Sequence, residues 1–271
     1  MVNILISGYY GFDNIGDESI LRTLVSSLRE HIPDCSLTVL SHNPASTREK
    51  YGAEAVDRMS PMAILRAVKK CDMLISGGGS LLQDVTSSKS LHYYLSIIRC
   101  AEFFHKKVFI YSQGIGPIDR PGNRRAAAAA LKRADGIVVR DERSAALLEE
   151  IGIARDKVVI TADPVIRMKK PDGDVGAEIL RKAGVSLDGR LTVGWAIRER
   201  DTDSRFVKEL LRSIQMMKDK YNAQSVLIPF HYEEDGEVCR HIAAQLPDDT
   251  AVCLNEKYLS EDMLSIIGNM D

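Results

Sequence analysis

Short runs of Val, Ile and Leu alternate with helical stripes from the first residues of this chain, and that alternation leaves few folds open. Residues 2–7 are almost continuously apolar, as a parallel strand covered on both faces must be. Ile20, Leu21, Leu24, Val25 and Leu28 then recur on one face of a helix. Strand-like runs follow at 37–40, 73–75, 108–111, 137–139 and 158–160. Helical segments fall at 61–70, 91–104, the alanine-rich stretch 126–130, and 145–151. Six strands joined through helices wind into a doubly wound sheet by right-handed crossovers, so residues 1–168 read as one Rossmann-like domain.

The polar Pro- and Gly-containing stretch 168–174 reads as a linker into a second domain, 169–271. Strands are expected there at 191–197, 225–228 and 251–253, with helices near 207–217, 237–246 and 261–267. A βαβ pattern follows such a last helix with another strand, whereas here it runs straight into Asn269, Met270 and Asp271. The second domain is thus expected to be incomplete at its C-terminus, the alternative being a small domain with a frayed end. The fold class is α/β, two Rossmann-like domains with parallel sheets.

Lys plus Arg number 36 against 38 Asp plus Glu, a net charge of −2, which argues against a nucleic-acid footprint. No apolar run approaches the roughly 18 residues of a membrane span, and the start carries no basic leader. Five scattered cysteines without a CxxC pair suit reduced thiols in the cytoplasm.

Ligands of open parallel sheets bind at the carboxyl ends of the strands. After the first strand, Gly8, Gly11 and Gly16 do not have dinucleotide spacing, and no GK[ST] follows. The flanking glycines are expected to leave Tyr10 and Phe12 exposed beside Asn14. Asp17 and Glu18 either cap the helix or act on a ligand. After the third strand, Gly77, Gly78, Gly79 and Ser80 imply close approach of a ligand or a neighbouring loop, followed by Asp84. The hydroxyl run 86–90, with Ser88, leads into Tyr93 and suits a sugar as well as an N-cap and a packed helix. Gln113 closes the fourth strand. Arg140 closes the fifth, where it either grips a carboxylate or phosphate or pairs with Asp141, Glu142 or Asp163. Arg198 ends the first strand of the second half. Metal-ligand spacings, a GxSxG elbow and a Cys–His arrangement are all missing from the sequence, and His231 reads as a loop residue rather than a catalyst.

Residues 8–18, 77–84, 113–117, 139–144 and 162–164 resemble, in order, the loops of the bacterial polysaccharide pyruvyl transferase family. The stretch 86–94 resembles the subgroup acting on secondary cell-wall polymers, which anchor surface layers. The resemblance implies a GT-B-like architecture, phosphoenolpyruvate as donor and no cofactor. It further implies a sugar acceptor, often N-acetylmannosamine on a lipid-linked oligosaccharide at the inner membrane face, and it allows a homo-oligomer. By the same route Tyr10, Phe12 and Arg140 are functional positions. The family pattern continues past Asp271 with a strand and an Arg-Leu-His segment supplying donor-binding and acid groups.

Ketal formation needs a general acid, a base for the sugar hydroxyls and cations for phosphate and carboxylate. Arg140, with Arg198, is the expected cation, and Asp17 or Asp84 the base. Gly78, Gly79, Ser80, Ser88, Tyr93 and Gln113 are expected to line the substrate site. Two readings stand beside this one: a glycosyltransferase of the same architecture with a nucleotide-sugar donor, and a non-catalytic sugar- or nucleotide-binding module.

Overall fold

The computed structural model describes residues 1–199 and 201–271 and divides into two compact units. One comprises Met1–Phe12 and Asp17–Met168, the other Asp13–Gly16 and Lys169–Asp271.

In the first unit the strands are β1 (Val2–Tyr10), β2 (Cys35–Ser41), β3 (Glu54–Asp57), β4 (Met73–Ser76), β5 (Gly79–Leu82), β6 (Lys107–Ile115), β7 (Gly136–Val139) and β8 (Val158–Ile160). They run parallel in the order β3-β2-β1-β4-β6-β7-β8, with β5 added beside β6. The helices are α1 (Ile15–His31), α2 (Pro44–Tyr51), α3 (Pro61–Lys70), α4 (Ser88–Phe103), α5 (Pro121–Leu131) and α6 (Glu142–Glu150). Alternation along the strands sorts the core into two layers. Leu5 and Leu40 enter one apolar cluster, while Ile4, Ile6 and Val39 enter the other. Burial on both sides is what makes β1 read as continuously apolar.

Two strands exceed the six expected. β3 buries only Ala55 of its four residues, so it leaves no hydrophobic run to read. β5 begins inside the glycine triplet expected to be loop: Gly79, at φ +88°, turns the chain out of β4 and back onto β6. β6 itself is bulged between Ile110 and Gln113, with Ser112 at φ +45°.

The second unit carries α7 (Val175–Lys182), β9 (Thr192–Ala196), α8 (Arg205–Tyr221), β10 (Gln224–Ile228), α9 (Tyr232–Ala244), β11 (Ala251–Cys253) and α10 (Ser260–Ile267). Its parallel sheet has the order β11-β10-β9. Central β10 is buried throughout, sending Leu227 to one cluster and Val226 and Ile228 to the other. Helix α7 is not foreseen by the sequence reading. It is short, and Gly176 packs so closely on Ser265 of α10 that a methyl group there would overlap the backbone. Among the described residues no helix is long and apolar enough to cross a membrane.

Candidate active site

The carboxyl ends of β1, β4, β6, β7 and β8 form one rim, and Arg140 stands on it immediately after β7. Its Nη1 lies 2.9 Å from Asp163 Oδ2, beyond β8, and its Nη2 donates to Ser80 Oγ in β5 at 3.0 Å. Nε is 3.8 Å from Asp141 Oδ2. The guanidinium lies across Gly114, where a Cβ would come within 2.9 Å of Nη2 and 3.0 Å of both Nε and Ser80 Oγ. Four segments far apart in sequence thus fix one cation. The pairing with Asp163 realises one of the two readings of this arginine. It leaves the side chain 30% exposed, so the charge is oriented rather than sealed away.

Arg140 opens onto a cavity of about 460 Å³ lined also by Ser80, the segment 114–119, Arg124, Asp141, Arg143, Ser144, Leu147 and Glu150. Three guanidinium groups face three carboxylates there. Arg124 is engaged by Glu150 at 3.3 Å and by the Ile118 carbonyl at 2.7 Å. Arg143, in the first turn of α6, is exposed and has no hydrogen bond or ion pair among the described residues. Asp141 caps α6, its Oδ1 accepting from Ser144 N and Oγ, each at 2.8 Å. Burial alone would raise its pKa. The Ser144 hydrogen bonds, with Arg140 and Arg143, hold it below the usual carboxylate value instead.

The other expected site residues sort into separate places. Asp17 reaches the same rim, since a Cβ on Gly79 would meet Asp17 Oδ1 at 2.9 Å. Gly78 packs against Ile20 of α1. Asp84 is not poised as a base. Its carboxylate accepts from Asp119 N at 2.9 Å, Arg120 N at 3.1 Å and Asn123 Nδ2 at 2.8 Å, tying down the start of α5. Ser88 belongs to the same knot, accepting from Arg120 Nη1 at 2.7 Å and Asn123 Nδ2 at 2.9 Å.

Tyr10 is a correction. Its ring is wholly buried, with Gly8 and Gly77 leaving the space that it fills, so these glycines admit the ring into the core rather than expose it. Burial, then Asp17 and Glu18, push its phenol pKa well above 10. Gln113 is also buried, donating through Nε2 to Ser76 O and Oγ and to Gly77 O, and so pins the glycine turn from below. Phe12 is half-buried rather than exposed, stacked on Tyr9 and His42. Tyr93 donates its hydroxyl to Arg58 O at 2.9 Å. Asn14 and Arg198 fall in the second unit, where Asn14 bridges His231 and Arg198 is exposed after β9. The sequence reading did not single out Arg143, Arg124, Arg58 or His42. Of these, Arg143, three residues beyond Arg140, and His42, at the end of the second strand, carried a signal in their position.

The Asp84 knot predicts a pH-dependent stability. Burial raises this pKa and the three donors more than offset it, so the folded value lies below 3.8. The carboxylate's contribution is therefore present above the ordinary pKa and is lost as pH falls through the folded one. Asp84→Asn, which sets an amide against three donors, is expected to cost about 1–3 kcal/mol at pH 7. In urea unfolding that difference from wild type narrows toward pH 3.

The chain belongs to the polysaccharide pyruvyl transferase family, whose model matches residues 14–271. A curated relative, the amylovoran biosynthesis protein AmsJ of Erwinia amylovora, is 23% identical over 239 residues. That alignment takes in 73% of this chain, which spans 57% of the relative's length. Among solved structures, Anabaena HepE in complex with UDP-glucose superposes with a TM-score of 0.62 at 10% identity, over 100% of this chain and 72% of that one. The Neisseria meningitidis UDP-GlcNAc 2-epimerase bound to UDP-GlcNAc gives 0.60 at 14% identity, over 97% and 75%. These likenesses are of fold, and the fold class is α/β and GT-B-like.

Proposed function

We propose that the protein transfers pyruvate, as a ketal, from phosphoenolpyruvate to two hydroxyls of a sugar in a polysaccharide precursor, releasing phosphate. N-acetylmannosamine on a lipid-linked oligosaccharide, reached from the cytoplasmic face of the membrane, is the acceptor we favour. The observation that carries the reading is the rim guanidinium of Arg140, oriented by Asp163 and Ser80 at the mouth of a cavity in which Arg143 makes no hydrogen bond or ion pair among the described residues.

Phosphoenolpyruvate bears its carboxylate and its phosphate on the same carbon, and two guanidinium groups at one mouth suit two anionic ends. In the first step the methylene carbon takes a proton, giving an oxocarbenium-like centre to which one sugar hydroxyl adds as its proton leaves. Phosphate then departs with its bonding electron pair, and the second hydroxyl adds and closes the ring as its proton passes to the departing phosphate. Asp17, on the same rim, is our candidate base; Asp84 is committed to α5. Arg140 and Arg143 would bind the anionic ends and stabilise the departing phosphate.

Phosphate release in the presence of phosphoenolpyruvate and an N-acetylmannosamine acceptor tests the proposal directly. The structural neighbours carry uridine nucleotides. UDP-sugar turnover with no phosphate release from phosphoenolpyruvate would transfer the assignment to a glycosyltransferase. Ligand binding without turnover of either donor would mark a binding module.

A further inference from the structure

The far end of the first unit's rim carries an aromatic array that the transfer chemistry leaves unused. Phe12 lies parallel between the rings of Tyr9 and His42, with centroid separations of 4.1 and 4.4 Å and interplanar angles of 6° and 5°. His42 is exposed, and Phe12 stacks on one face of its ring. Its ring nitrogens have no hydrogen-bond partner among the described residues.

Arg58 holds this column from behind. Its guanidinium carbon is 5.1 Å from the Phe12 centroid, 5.6 Å from Tyr9 and 4.8 Å from Tyr93. A buried cation thus takes the place of a hydrophobic filler beside these rings.

We propose that the column is a second carbohydrate subsite, on which a pyranose ring of the acceptor stacks at a residue other than the one that receives pyruvate. The chemistry fits in two ways. A pyranose presents a flat face of C–H groups to an aromatic face, and its edge hydroxyls can meet the free nitrogens of His42. This inference rests on the transferase reading above and extends it to chain-length selection. Between β2, which ends beside His42, and β7, which ends at Arg140, lie four strand spacings, roughly 19 Å. One monosaccharide cannot touch both places, whereas an oligosaccharide can.

Acceptor length provides the experiment. A hexasaccharide containing N-acetylmannosamine and free N-acetylmannosamine are compared by kcat/KM in wild type, His42→Ala and His42→Phe. Wild type should prefer the hexasaccharide, and His42→Ala should cut that preference about tenfold, mainly through KM. His42→Phe keeps the flat face and should retain the preference within about threefold. Equal preference in all three proteins overturns the proposal, as does an equal loss in Ala and Phe, which would mean hydrogen bonding without stacking. If no acceptor releases phosphate, the transferase reading fails, and the subsite is judged separately by titrating wild type with the hexasaccharide and following the His42 Cε1–H resonance. A saturable shift there supports the subsite, and no shift overturns it.

Discussion

Arg140→Ala should reduce phosphoenolpyruvate-dependent phosphate release about 10²–10³-fold, the loss typical of removing one preorganised donor from a transition-state anion. Thermal stability should barely change. The side chain is 30% exposed and its partner Asp163 40% exposed, a setting in which an ion pair contributes about 0–1 kcal/mol. A large kinetic effect with an unmoved melting transition separates a substrate-binding cation from a structural ion pair. Arg140→Lys should recover little, because an ammonium cannot hold Asp163 and Ser80 with separate nitrogens while lying flat across Gly114. Asp163→Asn keeps the shape and removes the charge that orients the guanidinium. Its expected cost is about tenfold in kcat/KM, carried by KM for phosphoenolpyruvate. Turnover of Arg140→Ala within threefold of wild type would end the role assigned to this residue.

Much of this site could be read from residue order alone, and the exceptions have physical causes. The strand-end rule alone puts Arg140, Ser80 and the glycine turns on one rim, because parallel topology forces consecutive carboxyl ends to the same side. Arg140 had two readings in the sequence, and the structure supplies the Asp163 pairing without burying the charge. Tyr10 went the other way: a glycine next to an aromatic ring can open a surface or clear a hole, and sequence cannot distinguish them. The space beside Gly77, contributed 67 residues later, decides for the hole. Asp84 looked like a candidate base because its three donors, Asp119, Arg120 and Asn123, lie more than thirty positions downstream. Edge strand β3 was invisible for want of an apolar run, β5 because its two leucines follow a glycine triplet that reads as loop, and Arg58 because a lone arginine after a strand has no pattern to announce it.

Arg58 carries the second large effect, and here stability is what changes. Its side chain is buried, and no carboxylate pairs with it among the described residues. Instead, Nη1 donates to Gly8 O at 2.9 Å, Nη2 donates to Tyr94 Oη at 3.2 Å, and four rings stand within 5.6 Å of the guanidinium carbon. Arg58→Ala would strand the Gly8 carbonyl, about 1–3 kcal/mol, and forfeit cation–π attraction of about 0.5–2 kcal/mol. It would also leave a void among the rings, whose further cost depends on how far they collapse. We expect a total near 3–5 kcal/mol, and with a shift of about 2–4 °C per kcal/mol the first unit should melt roughly 10 °C lower. Arg58→Met tests which part dominates. Methionine refills the space and carries no charge to desolvate, so if packing prevails it should recover more than half of the loss. If the guanidinium hydrogen bonds and ring attraction prevail, Met and Ala will melt together, well below wild type. Since Phe12 is one of those rings, both variants should also weaken the preference for long acceptors, tying the stability of this corner to the chain-length selection ascribed to His42.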